Sequence, residues 1–548
     1  MDAVPQPPAD APAGPLAALR VPVFRLLVGV QLVNAVAVWV HVVSVQWMLT
    51  ERGESATVVS LAPAAMAVPF LALALPVGVV VGFASRERLM AAAALASGVS
   101  AAAAAALAAL DVDGAVPALL TVVVVGVALV VVGVAWQSLL PETVGRPLVS
   151  SAAVVDGAVF NLARALGPLL AGVGLGLRGP VVTFSVVAAL FACCAGVLAL
   201  VELRRPGRRA PRRPVLPAIR AALRFTRHSP WTTRLLLRMT MFGLPAAALW
   251  ALVSIVVHDR LGLGSGSFGV MMALLGVGAV AATLLLGGLR RRLSVRAFAA
   301  VGSAAYALTL LAMGLATTAA VVAPFLVLGG VAWVGVQSTW MMLAHQALPD
   351  WVRPRVIALV LFLFQGTQAV GALLWGVAAD LLGTSTALVL AAALMTASLG
   401  VLLSSGLGSS AGIEPVLADP DASVAALVAD AGEGELVVRY EYVVAPARLP
   451  GFEAALADLR LSRLRLGGWS WRARVVDASA DGLRWVETYR VAGREELLEQ
   501  ETVRLTVPEQ RLRHAVRREA VRVAGPHVLL PTDPTADPAD PADPTDPT

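Results

Sequence analysis

WQSLLPETVGRPLVSSAAVVDGAVFNLARALGPLLAG, residues Trp136 to Gly172, sits among almost purely apolar segments yet carries Asp156, Asn161 and Arg164. Asn161 and Arg164 are three apart, so on a helix they are neighbours. Asp156 lies about two turns earlier on roughly the same face. An arginine near the centre of a lipid-spanning helix costs at least ~2.5 kcal/mol unless it meets water or a partner. Gly167-Pro168 follows, where a helix can bend. The stretch is echoed in QALPDWVRPRVIALVLFLFQGTQAVGALLWG, Gln346 to Gly376. Leu140-Pro141-Glu142 matches Leu348-Pro349-Asp350, and Asn161, Arg164, Gly167 and Gly172 fall on Gln365, Gln368, Gly371 and Gly376. Polarity survives in the echo while charge does not, as in a duplicated membrane protein whose first half is specialised.

Composition agrees. Hydrophobic residues make up 58% and charged residues 14% of the 548, against roughly 25% charged in soluble domains. Apolar runs of span length occur at about 26–49, 56–82, 89–110, 117–140, 148–174, 180–201, 235–257, 267–289, 296–318, 320–343, 356–379 and 386–405, twelve candidate transmembrane helices. The loops after the even-numbered spans hold twenty arginines, and the alternate loops only Arg52, Arg178 and Arg260. That asymmetry predicts a multi-pass protein of the cell membrane with both termini cytoplasmic. The net charge of +6 resides in those loops, so no nucleic-acid partner is expected. Cys193 and Cys194 are adjacent and apolar in context, and predict neither a disulfide nor a metal site.

The organisation follows: an N-terminal arm (1–19), a six-helix bundle (20–203), a basic linker (204–234), a second bundle (235–405), a linker (406–434), a cytoplasmic domain (435–523) and a Pro/Asp tail (524–548). The arm and the tail have the composition of disordered chain. The basic linker is either a short helix on anionic headgroups or a solvated connector. ELVVRYEYVV, WSWRARVV and LRWVETYRV alternate like strands, and two helical stretches, the second broken at Pro508, give the order β-α-β-β-α. The fold class is an all-α membrane protein of twelve helices in two repeats, plus a small α+β domain of the ferredoxin-like kind.

The chain resembles the major facilitator superfamily, and within it the branch of siderophore exporters and macrolide-efflux proteins called transmembrane secretion effectors. The resemblance rests on Phe24-Arg25 with Gln31, Asn34 and Trp39; on Leu75-Pro76-Val77-Gly78; and on Ala135-Trp136-Gln137 through Leu140-Pro141-Glu142. It continues through Asn161-x-Ala163-Arg164-x-x-Gly167-Pro168 and Leu348-Pro349-Asp350-Trp351-Val352-Arg353, covering about residues 20–405. Two departures stand out. The loop after the second span reads GVVVGFASRER, keeping the gating arginines Arg86 and Arg88 but with Gly82 and Ser85 where the superfamily has acids. Asp156 stands where the branch tends to have Asn, adding a titratable group.

Gln31, Asn34 and His41 fall within about 80° of helical arc and are expected to line a central cavity with Asn161, Arg164, Gln365 and Gln368. The plainer alternative is hydrogen bonding between helices. Arg164 would anchor an anion or hold a carboxylate, and Asp156, pairing with it across a water, would carry the proton. The alternative for Asp156 is hydration at the interface. His345 reads as a hydrated interfacial residue. Trp39 and Trp375, nearest mid-span, are candidates for ligand stacking, whereas Trp250, Trp333 and Trp340 also suit the membrane interface. The resemblance implies a proton-coupled exporter of an amphipathic small molecule (siderophore, macrolide or other secondary metabolite), with protons and the bilayer as partners, no cofactor and no catalytic residues. The alternatives are an uptake transporter, or a transporter fused to a ligand-binding or enzymatic domain. The terminal domain also offers a route to homodimerisation.

Overall fold

Long apolar runs with internal backbone hydrogen bonds dictate helices, because lipid offers the backbone no partner. The computed structural model describes residues 14, 16–81, 84–112, 114–204, 223–404, 416–418, 434–479 and 481–531. The acidic tail from 532, and most of the N-terminal arm and of both linkers, lie outside these residues.

The helices are α1 (Pro22–Glu51), α2 (Ala56–Val81), α3 (Arg86–Ala109), α4 (Ala115–Val144), α5 (Val149–Arg204), α6 (Pro230–Ile255), α7 (Ser265–Arg292), α8 (Val295–Leu315), α9 (Ala319–Ala347), α10 (Arg353–Leu382) and α11 (Thr384–Ser404). Among the described residues eleven helices are long and apolar enough to cross a membrane. The difference from the expected twelve lies in α5, 56 residues long, where Gly179 leaves helical geometry at φ 73 and ψ 176. A straight helix of that length would reach roughly 84 Å, far beyond a ~30 Å hydrocarbon core. Glycine tolerates the left-handed backbone there, and Pro180 opens the next helical run without missing its N–H.

Ser85 and Ser294 cap α3 and α8, accepting hydrogen bonds from the Arg88 and Ala297 amides at 3.2 Å each. In the first half, Phe24 stacks on Trp136 at 6.2 Å within a core that includes Leu27, Met90, Leu140 and Leu198. Helices of the two halves meet through small residues. A Cβ on Gly172 of α5 would stand 2.6 Å from the Gly269 Cα of α7, so this crossing tolerates no side chain. Such backbone approach is the main source of helix association where lipid removes the hydrophobic drive.

The chain divides into two compact units. Most of the helices make up one. The other comprises Pro214–Leu237, Trp340–Val360 and Leu407–Thr548. Its sheet is formed by β1 (Leu436–Val444), β2 (Trp469–Ser479), β3 (Gly482–Val491) and β4 (Arg522–Leu529), in the order β2-β3-β1-β4 with every pair antiparallel. β4 was absent from the expected β-α-β-β-α order and carries the domain past residue 523. Alternate β1 residues Leu436, Val438, Tyr440, Tyr442 and Val444 pack with Phe452, Leu456 and Leu459 of α12 (Leu449–Leu466), Leu497 of α13 (Arg494–Thr502) and Val516 of α14 (Val507–Glu519). The break expected at Pro508 is the start of α14, where Thr506 and Glu509 form a capping box. In this same unit Trp351 and Val507 pack against Ala418, Leu466 and Leu505. Trp351 lies edge-on to Phe225 and 5.0 Å from the Arg504 guanidinium, while Arg224 pairs with Glu496 at 3.3 Å.

Candidate functional site

α5 places Arg164 one turn after Phe160 and one turn before Pro168. The backbone leaves helical geometry at Gly179, while Pro168 lies inside the helical run, where a proline removes one backbone hydrogen bond. Gly167 has a different use. A Cβ there would collide with the Cβ of Trp39, so its absence lets α1 lie directly on α5 and brings the Trp39 indole to Arg164.

The guanidinium carbon stands 4.8 Å from the Phe160 ring centre, 5.6 Å from Trp39 and 5.5 Å from Trp250. Trp39 of α1 and Trp250 of α6 are 5.8 Å apart, so residues of both halves form the surround. Trp250 continues into Trp333, Phe364 and Tyr306, whose hydroxyl donates to the Ala246 carbonyl at 3.0 Å. Each cation–π contact is worth roughly 0.5–2 kcal/mol depending on desolvation, which offsets the cost of desolvating an unpaired guanidinium without leaving a surplus for the fold. Among the described residues Arg164 has no carboxylate partner, and its Nε and the Trp250 Nε1 are buried without hydrogen-bond partners.

The structure does not join Arg164 to Asp156. The Asp156 carboxylate accepts from Trp136 Nε1 at 2.7 Å and from Gln137 Nε2 at 3.1 Å, both on α4. Asn161 turns its amide back to the Gly157 carbonyl at 3.0 Å. Gln31 is half-buried with an unpartnered Oε1, and Asn34 is buried. His41 departs from their expected stripe: fully buried, it hydrogen-bonds Thr121 of α4 at 3.1 Å and meets the Phe184 ring edge-on. Gln368 donates to the Gly243 carbonyl at 3.4 Å and Trp375 to that of Leu244 at 2.8 Å, fastening α10 to α6. Gln365 is half-buried. Arg86 is buried and pairs with Glu142 at 2.6 Å, and the exposed Arg88 reaches Glu202 at 3.4 Å. The two arginines expected to gate are thus both bound within the first half.

Contacts between halves concentrate beyond Arg164, toward the α1–α2 turn. Gln46 donates to the Trp250 carbonyl at 2.9 Å, Thr50 to the Ser254 hydroxyl at 2.9 Å, and Trp47 stacks on Phe268 at 5.0 Å. The Asp380 carboxylate, at the end of α10, accepts from the Ala56 amide at 2.7 Å and the Thr57 amide at 2.9 Å. It therefore caps α2 from the other half, where a negative charge also meets the positive end of the helix dipole. Asp380, Phe160 and Tyr306 went unnoticed in the sequence. Tyr306 offered a signal, because the other three tyrosines all lie in the terminal domain.

A second polar cluster lies in the sheet domain. Glu487 is wholly buried and accepts from Tyr442 Oη at 2.7 Å, Trp471 Nε1 at 3.0 Å and Arg463 Nε at 3.3 Å. Arg463 lies 4.7 Å from the Tyr440 ring and 4.8 Å from that of Tyr489. Burial, and then the neighbouring Glu487 charge, push the Tyr442 phenol well above its usual value, so it stays a donor at neutral pH. Among the described residues no group of three or more His, Cys, Asp and Glu is placed to hold a metal.

Comparison with known proteins bears on the family and the fold. The chain is 29% identical over 231 residues to the multidrug efflux pump Tap of Mycolicibacterium fortuitum, covering 40% of this chain and 55% of that one. It is 26% identical over 156 residues to an MFS-type transporter of Sinorhizobium fredii, covering 28% and 38%. The aligned segments thus span about half the length of these relatives or less. Among solved structures, a bacterial homologue of the human lysosomal transporter Spinster in an inward-facing, occupied conformation aligns with 70% of this chain and 96% of its own, at TM-score 0.59 and 12% identity. The nucleoside transporter NupG (D323A mutant) aligns with 70% and 100%, at TM-score 0.57 and 11% identity. These two likenesses concern the fold alone. The sequence pattern of the family described as transmembrane secretion effector matches residues 13–529, from before α1 to the end of β4. Helices and sheet domain together therefore belong to the transmembrane secretion effector family, and the chain is a multi-pass membrane transporter of the major facilitator type.

Proposed function

We propose that this transporter exports an amphipathic small molecule by alternating access, driven by proton entry. The observation that carries the proposal is Arg164, held by rings from both halves and without a carboxylate partner. A rocking motion of one half against the other would remake that surround. Gln31, Asn34, Asn161, Gln365 and Gln368 are assigned to the walls of the path. Asp156 is the proposed proton carrier. Its two donors suit an ionised carboxylate, and protonation turns one oxygen into an O–H donor and weakens the hydrogen bond it accepts from Trp136 or Gln137.

In this reading α5 is two spans, making twelve, and the arginine-rich loops and both termini face the cytoplasm of a cell membrane. The contacts around Asp380 then close the outer end, giving an inward-open state. The likeness to a pump named for multidrug efflux supports the outward direction. The strand order β2-β3-β1-β4 supports a ferredoxin-like domain, offered here as a regulatory or dimerising module.

The test is accumulation of a panel of dyes, macrolides and iron-chelating metabolites in efflux-deficient cells expressing wild type, Arg164→Ala or Asp156→Asn, with and without a proton uncoupler. Export predicts accumulation lowered by wild type alone and restored by the uncoupler. Mutants that pump like wild type would refute the assigned residues.

A further inference from the structure

Resting on the reading of Arg164 as the substrate anchor, we infer that the site selects flat aromatic anions over neutral and cationic molecules of the same shape. A group of indole and phenyl rings is the usual receptor for an organic cation, because ring faces are negative. Here that place is filled by the protein's own cation. The guanidinium of Arg164 lies 4.8–5.6 Å from Phe160, Trp250 and Trp39, so an incoming ammonium would meet a fixed positive charge where the aromatic attraction would have been.

The unfilled groups point the same way. Arg164 Nε and Trp250 Nε1 are both donors, both buried and both unpartnered, and Trp250 is one of the rings against which Arg164 rests. Among the described residues no carboxylate answers them, since Asp156 is bound to Trp136 and Gln137. A ligand that completes this set brings acceptor oxygens, most effectively a carboxylate or phenolate meeting the edge of the guanidinium plane. Trp39 and Trp250, 5.8 Å apart and each half-buried, offer ring surface to a flat apolar body, and the buried Trp333 backs Trp250 at 6.0 Å. The echo in the second half places a neutral glutamine, Gln368, at the position of Arg164, so the charge at this position is not duplicated.

The experiment uses the purified full-length protein and quenching of its tryptophan fluorescence by three probes of one shape: 2-naphthoate, 2-naphthamide and (2-naphthylmethyl)trimethylammonium. Wild type is expected to bind the carboxylate at least about tenfold more tightly than the amide, and the ammonium most weakly, as a charge-assisted hydrogen bond implies. Arg164→Gln should abolish the preference, and Arg164→Lys should restore part of it, keeping charge without the planar fork. Equal or tighter binding of the amide or ammonium by wild type would overturn the inference, as would no binding of the carboxylate at millimolar concentration. Uncoupler-sensitive export of neutral or cationic compounds alone would leave the export reading standing and sink this one. Selective carboxylate binding without uncoupler-sensitive export would do the reverse.

Discussion

Arg164 and Arg463 are both arginines set against aromatic rings, yet they end differently. Arg463 lies between Tyr440 and Tyr489 and reaches Glu487, which also takes hydrogen bonds from Tyr442 and Trp471. Arg164 lies against Trp39, Phe160 and Trp250 and reaches no acid among the described residues. In the first arrangement a carboxylate answers the charge, as a buried charge in a folded core requires, although Arg463 Nη1 and Tyr489 Oη have no hydrogen-bond partner. The second stays electrostatically open, and in a transporter that openness suits an anchor for cargo. What sets Arg164 apart is therefore the missing counter-charge, since aromatic contact is common to both.

The comparison can be broken first in the sheet domain. Glu487→Ala strands the Arg463 charge in a core where the wild-type carboxylate is 0% exposed, and should destabilise the domain by roughly 3–5 kcal/mol. The check is loss of hydrogen-exchange protection across β1 and β3 in the full-length protein. Arg164→Gln should instead lower export at least about tenfold, an effect of the size of one charge-assisted hydrogen bond, read as initial rate in membrane vesicles. Asp380→Asn removes a charged cap shared between halves and should cost about 1 kcal/mol. Its signature is faster exchange at the amides of Ala56 and Thr57, which Asp380 accepts from in the wild type.

The smallest effect is in alkali. The Tyr442 phenol is held well above its ordinary value of 10 by burial and by Glu487. A raised folded value means the stability it contributes is fully present below pH 10 and is lost as pH climbs through the folded value. Ultraviolet titration of wild type against Tyr442→Phe should show one phenol fewer among those that ionise only well above pH 10.

The spans and Arg164 were legible because an apolar run and a charge inside it are local facts. The fate of His41 was not, since one helix's stripe does not say which neighbour it meets, and Thr121 is 80 residues away. The donors that Asp156 meets were hidden for a related reason: α4 brings Trp136 and Gln137 to the carboxylate from another helix. β4 escaped because Gly525-Pro526 interrupts its alternation, and strands with a Pro usually read as edges or loops. β4 is such an edge, bonded to β1 alone. Asp380 gives no local signal, because its cap on α2 spans 324 residues of sequence.

The most direct test of the contrast is hydrogen exchange on full-length Arg164→Gln in lipid nanodiscs, peptide by peptide against wild type. An anchor for cargo predicts unchanged protection in α1, α5 and α6, because no protein carboxylate loses its partner. Loss of protection there, of the kind expected in the sheet domain of Glu487→Ala, would show that Arg164 holds the fold together and would contradict the account.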